Sequence, residues 1–319
     1  MSILRLLLSA YPNPISGEQM AKDLTISRSA VWKKIKALEQ IGIEVSGKQN
    51  SGYRLERWPN LMLPELLMHF RKAVTLGEPI YYQESIGSTN DWAKQLAQGG
   101  ATAGTLVVAE EQTAGRGRRG RSWLSQPGAG IFASLVLRPS LPPERIPLLT
   151  LTLGIALVQT LREYGLTEAW LKWPNDVWVG RKKLAGILAE LAGQLDQVDW
   201  VVLGMGINTH QAEFPAELAA IATSYLRETG QDVQRAALLC DALHSLERLL
   251  PLLQQSSLDG LMEQWQSCDR LIGQQVRAIT PSGTIHGQAR GITANGALVL
   301  RLADGSEQTI MAGDVSLRF

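Results

Sequence analysis

The stretch GRGRRGRSW, residues 115–123, packs four arginines and three glycines ahead of a serine and a tryptophan. Such a segment cannot enter a hydrophobic core, because buried charges need partners and glycine resists fixing in a strand or helix. Yet TLVVAEEQ at 105–112 and GIFASLVLRP at 130–139 flank it, and both read as sheet strands. The chain must therefore hold a charge-dense loop between two strands. Glycine permits close backbone approach to a ligand, and arginine offers a planar fork suited to carboxylates and phosphates. An RNA-binding arginine–glycine segment, a localisation signal and a solvated surface loop are the competing readings. Placement between strands weighs against the first, which needs repeats in a disordered tail.

A chain of 319 residues with 45% hydrophobic and 19% charged residues is ordinary globular material for two or three domains. Its net charge of +1 confines any nucleic-acid contact to a local patch. Cys240 and Cys268 are too few for a disulfide framework, and His69, His210, His244 and His286 are too scattered for a zinc cluster. MSILRLLLSAYPNP lacks the basic region and cleavage site of a secretory signal. No stretch approaches the roughly 20 apolar residues of a membrane span, so the chain reads as soluble, cytoplasmic and free of membrane contact.

The local patch is at the N-terminus, where basic residues outnumber acidic ones nine to five over residues 1–60. Ser16 and Gln19 form a capping-box pattern for one short helix. After a break at Thr25 and Ile26, Ser27 can cap a second, whose Val31, Ile35 and Leu38 share one apolar face. Arg28, Ser29, Trp32, Lys33 and Lys36 lie largely off that face. IEVSGKQNSGYRL then reads as two strands about a turn, a wing beside the second helix. The whole fits a winged helix-turn-helix, with Ser27, Arg28, Ser29, Trp32, Lys33 and Lys36 as DNA-facing candidates. The alternative is a small interaction module with a solvated lysine face. ERWPNLMLP reads as a short linker, since its prolines disfavour helix.

From Pro64 helices and strands alternate, beginning with a helix over PELLMHFRKAV. In AWLKWPNDVWVGRKKLAGILAEL, Lys172 interrupts a tryptophan-rich strand and Lys183 begins another. Either lysine alone could snorkel to solvent. Two lysines on neighbouring strands, with Asn175 and Asp176 at the turn, favour an anion or metal–nucleotide site. VVLGMGINTH adds a strand ending in glycines and Asn208. The chain has no P-loop, no dinucleotide-binding glycine motif followed by a helix, and no recognised nucleophile elbow. Cations without a nucleophile suit adenylation of a carboxylate, a reaction that needs positioning and stabilisation of phosphate charge. The strands QQVRAIT, TIHGQARGI, GALVLRL and QTIMAGDVSLRF, split by the closely spaced turns PSG, NG and DG after Leu271, predict a small β-barrel, and DVQRAALLCDALHSLERLLPLLQ before it a core helix carrying Cys240.

STN at 88–90, QTAGRGRRGRSW at 112–123, KWPND at 172–176, KLAGIL at 183–188 and GMGIN at 204–208 together resemble the biotin protein ligase family. With the N-terminal module, the chain is similar throughout to the bifunctional bacterial ligases that also repress the biotin operon. One departure is Thr113, where the family often has a second glutamine. The resemblance implies an α+β multidomain fold. Its parts would be a winged helix-turn-helix over residues 1–62, an α/β ligase domain of class II synthetase-like, biotin/lipoate ligase type over 63–270, and an SH3-like β-barrel over 271–319. It implies biotin and ATP as substrates, Mg2+, a biotin carboxyl carrier protein domain and operator DNA as partners, and a homodimer when biotinyl-AMP is bound.

The same resemblance implies roles. Ser88, Thr89, Asn90 and Gln112, with Gly115, Arg116, Gly117, Gly186 and Gly204, would take biotin. Arg118 and Lys183 would hold its carboxylate and then the mixed anhydride; with Lys172 they form the catalytic set. Arg121, Trp123, Lys172, Asn175, Asp176 and Asn208 would serve ATP, the Trp123 indole stacking on adenine and Asp176 placing magnesium. The arginine loop would be a lid that shields the adenylate from water. A lipoate-type ligase and a ligand-sensing repressor without catalysis are the alternative functions.

Overall fold

The computed structural model describes residues 2–48, 51–193, 198–281, 283–311 and 313–317. Gln49 and Asn50 of the wing turn, Ser282 of the PSG turn, and Ala312, Arg318 and Phe319 of the last predicted strand lie outside them. The N-terminal part holds α1 (Ile3–Ala10), α2 (Gly17–Leu24), α3 (Arg28–Gln40), β1 (Val45–Lys48) and β2 (Gly52–Leu55). Ser16 and Ser27 cap α2 and α3 through the backbone N–H groups of Gln19 and Ala30. The capping box is half formed: Ser16 accepts from the Gln19 N–H, while the Gln19 side chain donates forward to Asp23. Thr25 ends α2 in the left-handed region at φ 54°, which makes the sharp turn between the helices. β1 and β2 pair antiparallel, and Tyr53 exchanges two backbone hydrogen bonds with Ile15. The wing is thereby tied to the start of α2.

α1 is an element that the sequence reading passes over. Its Ile3, Leu4, Leu6, Leu7 and Leu8 are buried, and it packs on α3 and on α4 (Pro64–Phe70), which stops earlier than PELLMHFRKAV suggests. The segment between the wing and α4 is no loose linker either. Met62 is fully buried, and Trp58 packs among Tyr11, His69 and Phe70. Asn60 meets the buried guanidinium of Arg235, which also ion-pairs with Glu110 at 2.8 Å. Glu110 in turn accepts from the Met62 N–H. A guanidinium this deep needs every donor matched, and the linker backbone supplies part of the match.

The central part contains β3 (Ile80–Ile86), α5 (Thr89–Gln98), β4 (Leu106–Gln112), β5 (Gly130–Leu137), α6 (Ile146–Glu163), β6 (Ala169–Lys172), β7 (Asp176–Val179), β8 (Lys182–Gly193) and β9 (Val198–Asn208). Next come α7 (Ala216–Ala219), α8 (Tyr225–Thr229), α9 (Arg235–Leu249) and α10 (Asp259–Cys268). Seven strands form one sheet in the order β3-β4-β5-β9-β8-β7-β6, antiparallel except for the β3–β4 pair. β4 is apolar over Leu106–Ala109, and β5 is apolar except for Ser134, because both faces are covered there. Val107 and Val136 meet α5, while Leu106, Val108 and Leu135 meet the larger core. Among the described residues, the stretch 143–163 is apolar and long enough to cross a membrane, contrary to the expectation from sequence. Most of its helix, α6, is buried, and a Cβ on Gly154 would meet Leu171 at 2.5 Å. Its apolarity is that of a core helix enclosed on most sides. Cys240 is core, as expected, and burial pushes its thiol up to about 12.

The C-terminal part is a five-stranded antiparallel sheet in the order β13-β12-β11-β10-β14. Its strands are β10 (Gln275–Thr280), β11 (Gly283–Ile292), β12 (Leu298–Arg301), β13 (Glu307–Ile310) and β14 (Asp314–Leu317). QTIMAGDVSLRF, read as one strand, is therefore two that lie on opposite edges. The buried Trp173 indole donates to Gly296 O at 2.9 Å, which fastens this sheet to the β6–β7 turn.

Candidate active site

A cavity of about 400 Å³ opens where α5, the arginine loop and β6–β9 converge. Its floor is glycine. A Cβ on Gly204 would collide with the Asn90 amide, and one on Gly206 would approach the Trp123 indole to 2.5 Å. Side chains on these central strands would fill the cavity, so the GMG stretch creates its depth.

One end is neutral and rich in hydrogen bonds. Ser88 begins α5 without spending its hydroxyl on a cap. The Thr89 N–H and hydroxyl lie 2.8 and 2.9 Å from Gln112 Oε1. Asn90 donates to Glu190 at 2.8 Å and to Leu188 O. Arg116 pairs with Asp91 and approaches Glu190 at 3.7 Å, so the arginine loop is moored to α5 and β8.

The other end is cationic. Arg118 donates to Asn175 Oδ1 at 2.9 Å, and the Asn175 amide donates to Ile187 O, which fixes its orientation. Lys183 pairs with Asp176 at 2.7 Å. Lys172 lies 3.9 Å above the Trp178 ring, and burial pushes its ammonium down to about 8. Asp176 opposes that shift, while Lys183 and Arg121 add to it. The two lysines are not on neighbouring strands as the sequence suggests: β7 runs between β6 and β8, and its first residue, Asp176, faces both. Asn208 donates to Thr223 O at 3.0 Å, and residues 221–223 bond in turn to Lys183.

All the predicted biotin and ATP residues line this one cavity except Gly115, which is buried beneath Trp123 O and Gln112. The loop is more ordered than its glycines suggest. Gly117 N donates to Arg121 O, Trp123 N donates to Gly115 O, and Arg118–Gly120 makes one 3-10 turn. The face of Trp123 is taken up by Gly206 and Gly186, and its buried indole N–H has no partner among the described residues.

Sequence reasoning misses several lining residues. Asp314 comes from β14 and pairs with Arg121, with Arg119 at 3.7 Å; more than 190 positions separate the partners, and no local pattern links them. Phe214, Leu218, Ile221 and Ala222 form an apolar wall beside Asn208. Their only signal is apolar residues in a stretch without clear periodicity.

On α3, Arg28, Ser29, Trp32 and Lys33 are exposed, Trp32 at 52%. Ser27 spends its hydroxyl on the cap and on Ser29, and Lys36 pairs with Glu39.

Known proteins bear on this geometry. The biotin/lipoate A/B protein ligase family model matches residues 82–208, the biotin protein ligase C-terminal domain model matches 271–318, and a helix-turn-helix domain model matches 1–54. The bifunctional ligase/repressor BirA of Bacillus subtilis is 37% identical over 99% of this chain and 97% of its own length. That of Escherichia coli is 33% identical over 95% and 92%. The biotin protein ligase of Aquifex aeolicus, solved with biotin and ATP, superposes with a TM-score of 0.66 at 31% identity, covering 76% of this chain and 99% of that one. The chain thus belongs to the biotin protein ligase family, in the three-part form of the bifunctional ligase/repressors.

Proposed function

We propose that the cavity joins biotin to ATP and then to a carrier lysine, and that the N-terminal module represses biotin biosynthesis at operator DNA. In the first step a biotin carboxylate oxygen attacks the α-phosphorus of ATP, and pyrophosphate leaves. In the second the carrier lysine nitrogen attacks the acyl carbon, loses a proton, and AMP leaves. The observation that carries this reading is one cavity with a neutral hydrogen-bonding end at Ser88, Thr89 and Gln112 and a cationic end at Arg118, Lys172 and Lys183. The neutral end suits a ureido ring, a group with both donors and acceptors. The cations suit a carboxylate beside phosphates, where fixed charge lowers the barrier most in a water-poor site.

Arg118 and Lys183 hold the carboxylate and then the anhydride, with Arg116, Gly117, Gly186 and Gly204 enclosing biotin beside Asn90 and Gly115 supporting the loop from beneath. Arg121, Trp123, Asn175 and Asn208 take the nucleotide together with Lys172. Magnesium would arrive with the phosphates. Among the described residues no three His, Cys, Asp or Glu side chains converge, so a protein cage is not on offer. The Asp176 carboxylate, one of two that line the cavity with Asp314, matches the habit of Mg2+ of binding through one or two carboxylates plus substrate phosphates.

The division at residues 62 and 270, cytoplasmic location, and a two-fold dimer promoted by biotinyl-AMP belong to the same proposal. One winged helix with a small charge excess makes few phosphate contacts, so two should engage an inverted repeat. Mass spectrometry should find biotin, and not lipoate, on the lysine of a carrier domain incubated with the protein and ATP. Gel shifts and sedimentation with and without biotin plus ATP test the second activity. Tight operator binding by a ligand-free monomer would overturn the coupling.

A further inference from the structure

Two carboxylates attract the ammonium of Lys172, and both are spent on other cations. Asp176, its cross-strand neighbour on β7, pairs with Lys183 at 2.7 Å. Asp314 pairs with Arg121 and, at 3.7 Å, with Arg119. Lys172 itself has no hydrogen bond or ion pair among the described residues. What its Nζ meets is the face of Trp178, 3.9 Å from the ring centre. That is well within the reach of a cation–π contact, and tryptophan is the strongest ring for one.

The ring is fixed from several sides. Trp170 pairs with Trp178 across the β6–β7 ladder and Lys172 with Asp176, so all four side chains share one face. The Trp170 ring lies 5.9 Å from that of Trp178, and the Trp170 indole donates to Gly180 O at 2.9 Å. On its other side Trp178 is paired with Lys183 of β8. The Trp178 indole N–H is buried with no partner among the described residues. An unmatched donor counts against tryptophan at this position, and leucine would fill apolar space without it. What tryptophan adds is the negative face of its ring.

We infer that Trp178 is a positioning residue: its ring face holds the Lys172 ammonium at the cationic end with the N–H donors open to a nucleotide phosphate. This rests on the reading that Lys172 serves ATP. Lys183 must leave Asp176 before it can meet an anion, whereas Lys172 has no ion pair to break. Without the ring's attraction Nζ is free to turn to Asp176, and has to be recovered from that carboxylate before it reaches a phosphate.

The test replaces Trp178 in the full-length protein with mono-, di- and trifluorotryptophan, which keep the shape of the indole while withdrawing charge from its face. Calorimetry at neutral pH and saturating biotin measures binding of α,β-methylene-ATP, which cannot be split at the α-phosphorus. Affinity should fall stepwise, about twofold per fluorine and roughly tenfold by the third, while biotin affinity stays unchanged. If the fluorinated proteins fail to fold, Trp178→Phe should keep most of the nucleotide affinity that Trp178→Leu loses. A tryptophan that only packs would give no trend with fluorine, and phenylalanine and leucine would act alike. Either result in a folded protein overturns the role of Trp178. Wild-type nucleotide affinity in Lys172→Ala overturns instead the reading that puts Lys172 on the phosphates.

Discussion

Lys183 Nζ lies 2.7 Å from Asp176 Oδ1, across the pairing of β8 with β7 and at the mouth of the cationic end. Each neutralises the other while the cavity holds no anion. A carboxylate or phosphate entering beside them competes for the ammonium, which can turn from Asp176 to the ligand without leaving the site. On the function proposed above, the pair keeps a cation poised for the substrate carboxylate.

Lys183→Ala should slow formation of biotinyl-AMP by about a hundredfold, the typical loss for one positioned charge-stabilising donor. Pyrophosphate release measures it, and circular dichroism should find the winged module intact. Adenylate formation at the wild-type rate would reassign the lysine to structure.

Arg118→Gly removes a guanidinium bonded to Asn175 and reaching toward Gly313 O of the C-terminal sheet. A charge-assisted contact contributes roughly 1.5–3 kcal/mol, so biotinyl-AMP should escape about ten- to a hundredfold faster. Stopped-flow release reads the rate, and labelling of bystander lysines reads the consequence. Unchanged retention would contradict a role in holding the anhydride.

Lys172 has its ammonium held down to about 8 by burial, from the ordinary 10.5. Nucleotide affinity should fall as pH rises through about 8, because the charge that binds phosphate is lost there. Folding stability should move the other way between about 8 and 10.5, where the unfolded chain binds the extra proton. Lys172→Arg stays charged throughout and should flatten the affinity profile. ATP titrations from pH 7 to 9.5 decide it, and a flat wild-type profile would count against a lysine on the phosphates.

Arg235→Ala should cost about 3–5 kcal/mol in urea unfolding, since it leaves the Glu110 carboxylate buried without its cation. Asn60→Ala, which removes a neutral acceptor of Arg235 and the amide's bonds to Val233 O and Asp232 but strands no charge, should cost less. Equal, small losses in both would mean that water reaches the pair.

Local chemistry fixed much of this protein. Ser16 and Ser27 mark where helices begin, the apolar runs of β4 and β5 mark strands, and Gly204 and Gly206 mark where side chains are not tolerated. These signals are legible because caps, periodicity and backbone freedom act over a few residues. The cluster of Arg118, Lys172, Lys183 and Asp176 was legible too, though through resemblance as much as through charge. Only the tertiary structure put Asp314 against Arg121, Arg235 beneath the linker and Ser134 between Thr89 and Asn90. It also inserted β7 between the two lysine strands and divided the last predicted strand between opposite sheet edges. Contacts between residues tens to hundreds of positions apart depend on how whole layers pack. No short stretch of sequence carries that, because burial energy rewards any close packing and the partners are chosen by the sheet order.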